Sequence, residues 1–342
     1  MRTAEAHLQP YRQIMLPALE DTLRAYVQAH IQPAELARMV AYHMGWEGLG
    51  AGPQAQGKRV RPLLTLLTAQ AAGGDWKEAL PAAAAVEFIH NFSLLHDDIQ
   101  DGSRLRRGRP TVWHLWGIAQ AINAGDALFA LAFRVLDALP SDQSPAWPEG
   151  PTALLAAACL NLTRGQYLDL AYEGRADLDE NAYWSMIEGK TAALLETAVA
   201  LGAYAAGLDA DTAQPYREFG RALGLAFQVW DDYLGIWGDP NRTGKSVASD
   251  LVARKNSLPV LYGLTQRDSA FAQRWRRGPI HEDEAPALAE RLAETGARAY
   301  TRQQAEQWTA RARAALAAAP VRDAQAHAAL QALADALLHR DT

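Results

Sequence analysis

Ala, Leu, Glu and Arg fill stretch after stretch of this chain, and Val, Ile and Thr rarely alternate at period two. Strong helix formers without strand patterning predict an all-α fold. Helical spacing of apolar residues runs over 17–42, 61–72, 80–101, 111–139, 152–172, 179–207, 212–235 and 258–265. Glycine- and proline-marked joints separate these segments at 45–53, 73–75, 102–110, 140–151 and 238–244. Residues 267–342 keep helical spacing without a chemical cluster, which predicts a packing role with a solvated charged face. No stretch reads as an interdomain linker, so residues 1–342 are expected to form one helical domain.

A formal net charge of -6 argues against nucleic acid as the main partner, which needs a concentrated basic surface. The one cysteine, Cys159, cannot form an intramolecular disulfide and sits in an apolar run, where an inert buried thiol is expected. The N-terminus lacks the basic, apolar, small-residue order of a secretory signal. The most membrane-like stretch, 191–208, is Ala-rich and holds Glu196, which predicts a core helix. A cytoplasmic protein without membrane insertion is the expectation.

Two acidic helix ends carry the chemical argument. In Ser93-Leu94-Leu95-His96-Asp97-Asp98-Ile99-Gln100-Asp101, Asp97 and Asp101 stand four apart, on one helix face. Carboxylates at that spacing repel unless a cation lies between them, and negative charge at a helix C-terminus opposes the macrodipole. A second pair, Asp231-Asp232, follows the apolar and aromatic run before it in the same way. Oxygen ligands without a Cys or His cluster favour Mg²⁺, which bridges to substrate phosphates. Basic residues flank both sites: Lys58, Arg59 and Arg61; Arg104, Arg106, Arg107 and Arg109; Lys190; and Lys245, Arg254 and Lys255. Guanidinium forks and ammonium groups suit phosphate oxygens.

These residues resemble the trans-isoprenyl diphosphate synthases, or polyprenyl synthetases, over about 57–262. Gly57-Lys58-Arg59-Val60-Arg61-Pro62 is similar to that family's opening motif. Leu94 to Asp101 with Leu105-Arg106-Arg107-Gly108 resembles its first aspartate-rich motif. Gly165-Gln166-Tyr167-Leu168-Asp169-Leu170 and Gly189-Lys190-Thr191 match mid-chain signatures. Phe227-Gln228-Val229-Trp230-Asp231-Asp232, with Gly244-Lys245 and Lys255, resembles the second aspartate-rich region.

The resemblance implies a homodimeric bundle of antiparallel helices around a deep cavity, with the two aspartate-rich regions facing each other at its mouth. It implies that Asp97, Asp101 and Asp231 ligate magnesium, three ions with substrate bound. Lys58, Arg61, His90 and Arg107 would take isopentenyl diphosphate. Arg106, Lys190, Thr191, Gln228, Lys245 and Lys255 would hold the allylic diphosphate. His90 lies seven residues before Asp97, close to two turns, and Gln228 three before Asp231, so both can share a face with the aspartates. At Lys190, the flanking Gly189 and Thr191 suggest a locally opened helix.

The second motif departs from the family pattern where a third aspartate is usual: that place is Gly235. Product length in the family follows bulk four and five positions before the first aspartate, here Ser93 and Phe92, a pattern that resembles twenty-carbon synthases. The implied reaction is head-to-tail condensation of isopentenyl and allylic diphosphates to geranylgeranyl diphosphate. A farnesyl diphosphate synthase is the alternative, followed by a terpene cyclase and a non-catalytic regulatory subunit.

Overall fold

A computed structural model describes residues 2–139, 147–148, 150–175, 177–239 and 248–338. The fold is all-α. Among the described residues the strands are the two-residue β1 (Leu105–Arg106) and β2 (Arg109–Pro110), paired antiparallel within the expected 102–110 joint. The chain forms two compact units. One comprises Met1–Ala157, Thr197–Tyr216 and Ala319–Leu333, the other Ala158–Glu196, Arg217–Ala318 and Ala334–Thr342.

The first unit opens with α1 (Arg2–His30) and α2 (Ala34–His43). The helix expected over 17–42 thus begins earlier and is broken between His30 and Ala34, where Pro33 takes the N-cap position of α2. The expected 45–53 joint leads into a one-turn helix, α3 (Pro53–Gln56). Helix α4 (Val60–Ala71) is apolar nearly all round, and Leu63, Leu64, Leu66 and Leu67 are fully buried. Each such leucine contributes roughly 2 kcal/mol of transfer free energy. Helix α5 (Leu80–Gln100) buries Ala82, Ala83, Ala84 and Ala85 near its start and ends in the first acidic cluster.

The segment expected as one helix over 111–139 is two, α6 (Val112–Trp116) and α7 (Ile118–Leu136), divided at Gly117 with φ 83°, a conformation that favours glycine. Gly125 lets α7 approach α5 closely: a Cβ there would stand 2.3 Å from His96 Nε2. By length and composition α7 could cross a membrane, whereas the sequence pattern had singled out 191–208. Its Ala121, Ala124, Leu128, Leu131 and Val135 are buried in this unit.

The second unit takes in residues 158–172 of α8 (Pro151–Tyr172), then α9 (Glu180–Ile187), a π-helical segment (Glu188–Ala192), the start of α10 (Ala193–Ala205) and most of α11 (Gln214–Trp237). Asp179 caps α9, its carboxylate accepting from Ala182 N at 2.9 Å. Tyr183, Met186, Ile187, Leu225, Val229, Leu258 and Leu261 form one core cluster. A second gathers Ile236, Leu251, Val260, Phe271, Trp275, Leu288 and Leu292, drawing on the C-terminal helices assigned a packing role. Cys159 is buried, and burial pushes its thiol up to about 12, so it is an inert core residue as expected.

Candidate active site

In the first unit the end of α5 sorts its aspartates by face. Asp98 is 2% exposed, and its Oδ1 accepts from Arg106 Nε and Nη2, both at 2.8 Å. That fork ties α5 to β1. Asp97 lies one residue away, about 100° round the helix, and is half-buried. Asp101 follows one turn on, its N–H donating to Asp97 O at 2.8 Å. Burial pushes the Asp98 carboxyl up against the opposing pull of Arg106.

The opening basic motif lies in the same unit. Gly57 (φ 81°) and Arg59 (φ 47°) both adopt left-handed conformations ahead of α4. Such a backbone at a non-glycine residue costs about 1–3 kcal/mol and persists only where the surroundings over-determine it. Here they do: buried Arg59 donates to Glu20 Oε1 at 2.7 Å, Glu87 Oε1 at 2.6 Å and Met44 O at 3.2 Å. The reversal sends Arg59 inward while Lys58 stays exposed. A Cβ on Gly57 would sit 2.6 Å from the Arg107 guanidinium, whose Nη1 donates to Ala55 O at 2.7 Å. The hairpin arginine is therefore seated on the glycine of the basic motif.

Arg61 Nη1 lies 3.4 Å from His90 Nε2, and Arg61 Nε is buried without a protein partner. Burial, reinforced by Arg61, Arg107, Arg106 and Arg59, holds His90 well below the ordinary histidine range, so it is neutral near pH 7. The structure thus brings Arg61, His90, Arg106 and Arg107 into mutual electrostatic range.

Three of the flanking basic residues are structural instead of phosphate-facing. Arg59 is consumed by its carboxylates. Arg109 donates to Leu49 O, Tyr42 O and Glu47 O at 2.9, 2.8 and 2.7 Å and lies over the Tyr42 ring. Arg254 donates to Trp275 O at 2.9 Å and to Gly278 O, against the Trp275 ring. Sequence shows charge but not the carbonyls and carboxylates that satisfy it. Lys245 lies outside the described residues.

The second unit repeats the sorting at Asp231-Asp232. Asp232 is 1% exposed and receives four donors. Tyr183 Oη and Leu258 N donate to Oδ2 at 2.8 and 3.2 Å, Gln228 Nε2 and Lys255 Nζ to Oδ1 at 3.0 and 3.3 Å. Its charge also caps the positive end of helix Leu258–Thr265. Asp231, about 100° away on α11, is half-buried. Burial works against the Lys255 charge, and Asp232, Asp250, Asp231 and Asp169 outweigh it, holding the ammonium above its usual range.

Lys190 and Thr191 sit in the π-helical segment, so the locally opened helix anticipated from Gly189 is present. Lys190 Nζ pairs with Asp169 Oδ2. Thr191 Oγ1 donates to Gln228 Oε1 at 2.8 Å, which joins Thr191, Gln228, Asp232 and Lys255 into one chain. Glycines mark the bulge from both sides. A Cβ on Gly165 would meet Lys190 N at 2.1 Å, and one on Gly224 would meet the Ala192 Cα at 2.5 Å.

Gly235 has a physical reason as well. A Cβ there would lie 2.2 Å from Asp250 Oδ2, so the Asp250 carboxylate occupies the space that a side chain at the third motif position needs. Asp250 Oδ2 is 3.7 Å from Lys255 Nζ. Asp250 escaped the sequence reading, and Asp169, quoted within the mid-chain signature, was given no role there, because neither belongs to an aspartate pair.

On α5, the Phe92 ring packs against His96 at 4.7 Å and Phe129 of α7 at 5.0 Å, and Phe129 packs on Phe133 at 5.1 Å. Ser93 Oγ donates back to His90 O at 2.8 Å. The aromatic stripe on α7 is a second feature the sequence alone left unread.

Among the described residues, no group of three or more His, Cys, Asp or Glu side chains is gathered to cage a metal. The donors present near each acidic helix end are carboxylate oxygens beside guanidinium and ammonium groups, a set suited to a hard cation that keeps waters and shares a polyanion.

The comparisons with known proteins agree. The sequence profile described as polyprenyl synthetase matches residues 50–292. A geranylgeranyl diphosphate synthase of Mycobacterium tuberculosis is 46% identical over 240 residues, 70% of this chain and 68% of that one. A (2E,6E)-farnesyl diphosphate synthase of Mycobacterium bovis is 44% identical over 245 residues, 70% of this chain and 65% of that one. The chain therefore aligns with about two thirds of the length of these relatives. The crystal structure of a polyprenyl synthetase from Streptomyces coelicolor superposes with a TM-score of 0.85 at 38% identity, covering 98% of this chain and 99% of that one. The chain belongs to the polyprenyl synthetase family of prenyltransferases. Members of this family use a divalent metal with isopentenyl and allylic diphosphates.

Proposed function

We propose that this chain condenses isopentenyl diphosphate head to tail with allylic diphosphates and releases geranylgeranyl diphosphate. One observation carries the reading: in both aspartate pairs the second residue is a buried anchor, which turns the first about 100° away on its helix. Two carboxylate sets built alike, each beside basic groups, suit one substrate class, the metal-chelated diphosphate.

In this reading Asp97, Asp101 and Asp231 hold Mg²⁺, three ions with substrate bound. When bound, the metal neutralises the departing diphosphate. Arg106, Lys190, Lys245 and Lys255 bind the allylic diphosphate and stabilise charge as its carbon–oxygen bond breaks. Lys58, Arg61, neutral His90 and Arg107 orient isopentenyl diphosphate for attack by its double bond. Thr191 and Gln228, fixed by their mutual hydrogen bond, direct oxygen dipoles toward the allylic cation. Apolar walls exclude water from it, and the final proton passes to the released diphosphate.

Phe92, braced by Phe129, serves as the chain-length floor, and Ser93 leaves room past fifteen carbons. The farnesyl synthase among the relatives supports a shorter product as the second reading. Exposed Leu115, Ile118 and Ile122 support a homodimer, acting in the cytoplasm. The test is incubation of purified protein with Mg²⁺, isopentenyl diphosphate and a series of allylic starters, with products sorted by length. Twenty-carbon diphosphate is expected; a released hydrocarbon would mark a cyclase and overturn the proposal.

A further inference from the structure

Next to the hairpin arginines, the first unit holds a small cavity of about 20 Å³ whose lining includes His43, the last residue of α2, with Asp98, Arg106 and Arg107. Its neighbours are largely spoken for. Tyr42 Oη donates to Pro110 O at 2.9 Å, each nitrogen of the Arg109 guanidinium donates to a backbone carbonyl, and Arg107 Nη1 is committed to Ala55 O. Two buried polar atoms are left without a protein partner, His43 Nε2 and Asp98 Oδ2. Both residues line the same cavity.

Buried donors and acceptors are almost always paired, with protein or with ordered water. Size decides which occupant fits. One water needs on the order of 10–15 Å³ of such space, and ligand pockets begin near 300 Å³. The cavity admits a water and no diphosphate.

We propose that one ordered water fills this cavity, accepting from His43 Nε2–H and donating to Asp98 Oδ2, so that His43 is a positioning residue for the Asp98–Arg106 fork. The chain of contacts runs from His43 through the water to Asp98 Oδ2, and from Asp98 Oδ1 to the Arg106 guanidinium. Burial and the nearby Arg106, Arg107, Arg59 and Arg109 keep the imidazole neutral, with its pKa lowered to about 3, so it keeps one N–H to donate. The consequence for catalysis rests on the proposed role of Arg106 and Arg107 in diphosphate binding.

The first test is a crystal structure at a resolution that shows ordered solvent. A water within about 3.2 Å of both atoms is expected. A direct His43–Asp98 bond or a dry cavity overturns the proposal. The second is titration calorimetry with inorganic pyrophosphate and Mg²⁺ on the wild type, His43→Leu and His43→Gln. Leucine removes the donor and is expected to weaken pyrophosphate about tenfold, whereas glutamine, whose amide can donate to the same water, stays within about twofold. Equal losses in the two variants, or none in His43→Leu, overturn it. Should His43→Leu fail to fold, the wild-type solvent structure still decides. Neither measurement requires turnover, so failure of the proposed condensation would be seen separately, in the product assay.

Discussion

The two aspartate pairs solve one problem with different supports. Asp98 is held by a single guanidinium borrowed from a two-residue hairpin, and its second oxygen has no protein partner. Asp232 is held by four donors, three from elsewhere in the chain, the phenol of Tyr183, the start of helix Leu258–Thr265 and Lys255, and one from its own helix, Gln228. The first anchor is short and local, reaching only eight residues along the chain. The second belongs to the packed interior of its unit and is correspondingly rigid. The contrast teaches that a pair of adjacent aspartates is a division of labour, one residue for the ligand and one for the scaffold.

The largest expected effect comes from the outward residues. Asp97→Ala and Asp231→Ala should each lower kcat/KM by about 10³ or more, the scale of lost transition-state electrostatics, with melting temperatures that fall less than those of the anchor variants. A large fall in melting temperature in either variant would break the division of labour. Next is Asp232→Ala, which leaves Tyr183 Oη and Leu258 N without their buried acceptor and Lys255 with Asp250 alone at 3.7 Å, and should destabilise by about 3–5 kcal/mol in urea unfolding. Asp98→Ala, with one partner to orphan, should cost about 1–3 kcal/mol. Equal losses would erase the contrast between the two anchors.

Gly235→Ala pushes a methyl into Asp250 and should cost about 1–3 kcal/mol, the range of overpacked sites, recovered in part when Asp250→Gly is added. Smaller still is a pH effect confined to the first unit. His43 and His90 have folded pKa values below the ordinary 6.5, so the unfolded chain binds more protons as pH falls. Their contribution is complete above about pH 6.5 and is lost on acidification, by up to about 1.4 kcal/mol per pH unit for each. Melting curves between pH 7 and 5 should show the fall, and His90→Gln should flatten it.

Much of this was legible in the chain itself. The helical class, the boundaries of α4 and α5, the opened turn at Lys190 and the aspartate positions follow from periodicity, glycine placement and spacing. What escaped was the partner of each charge. Arg59, Arg106 and Arg109 look alike in sequence, yet one feeds the glutamates Glu20 and Glu87, one Asp98 and one three backbone carbonyls. Asp250 beside Gly235 was invisible because contact at fifteen residues' separation leaves no local trace. The break at Pro33 left no trace in the apolar spacing, and proline alone did not mark it, since Pro10 and Pro17 lie inside α1.

The five-residue π segment has an evolutionary corollary. A π turn closes its hydrogen bonds one residue later than an α turn, so the segment Glu188–Ala192 takes up one extra residue without turning α10 on its axis. Leu194, Val199 and Leu201 would therefore keep their interior seats if that residue were lost. A single codon gained or lost here changes which backbone groups Lys190 and Thr191 present while sparing the packing behind them, so descent can alter this turn in one step.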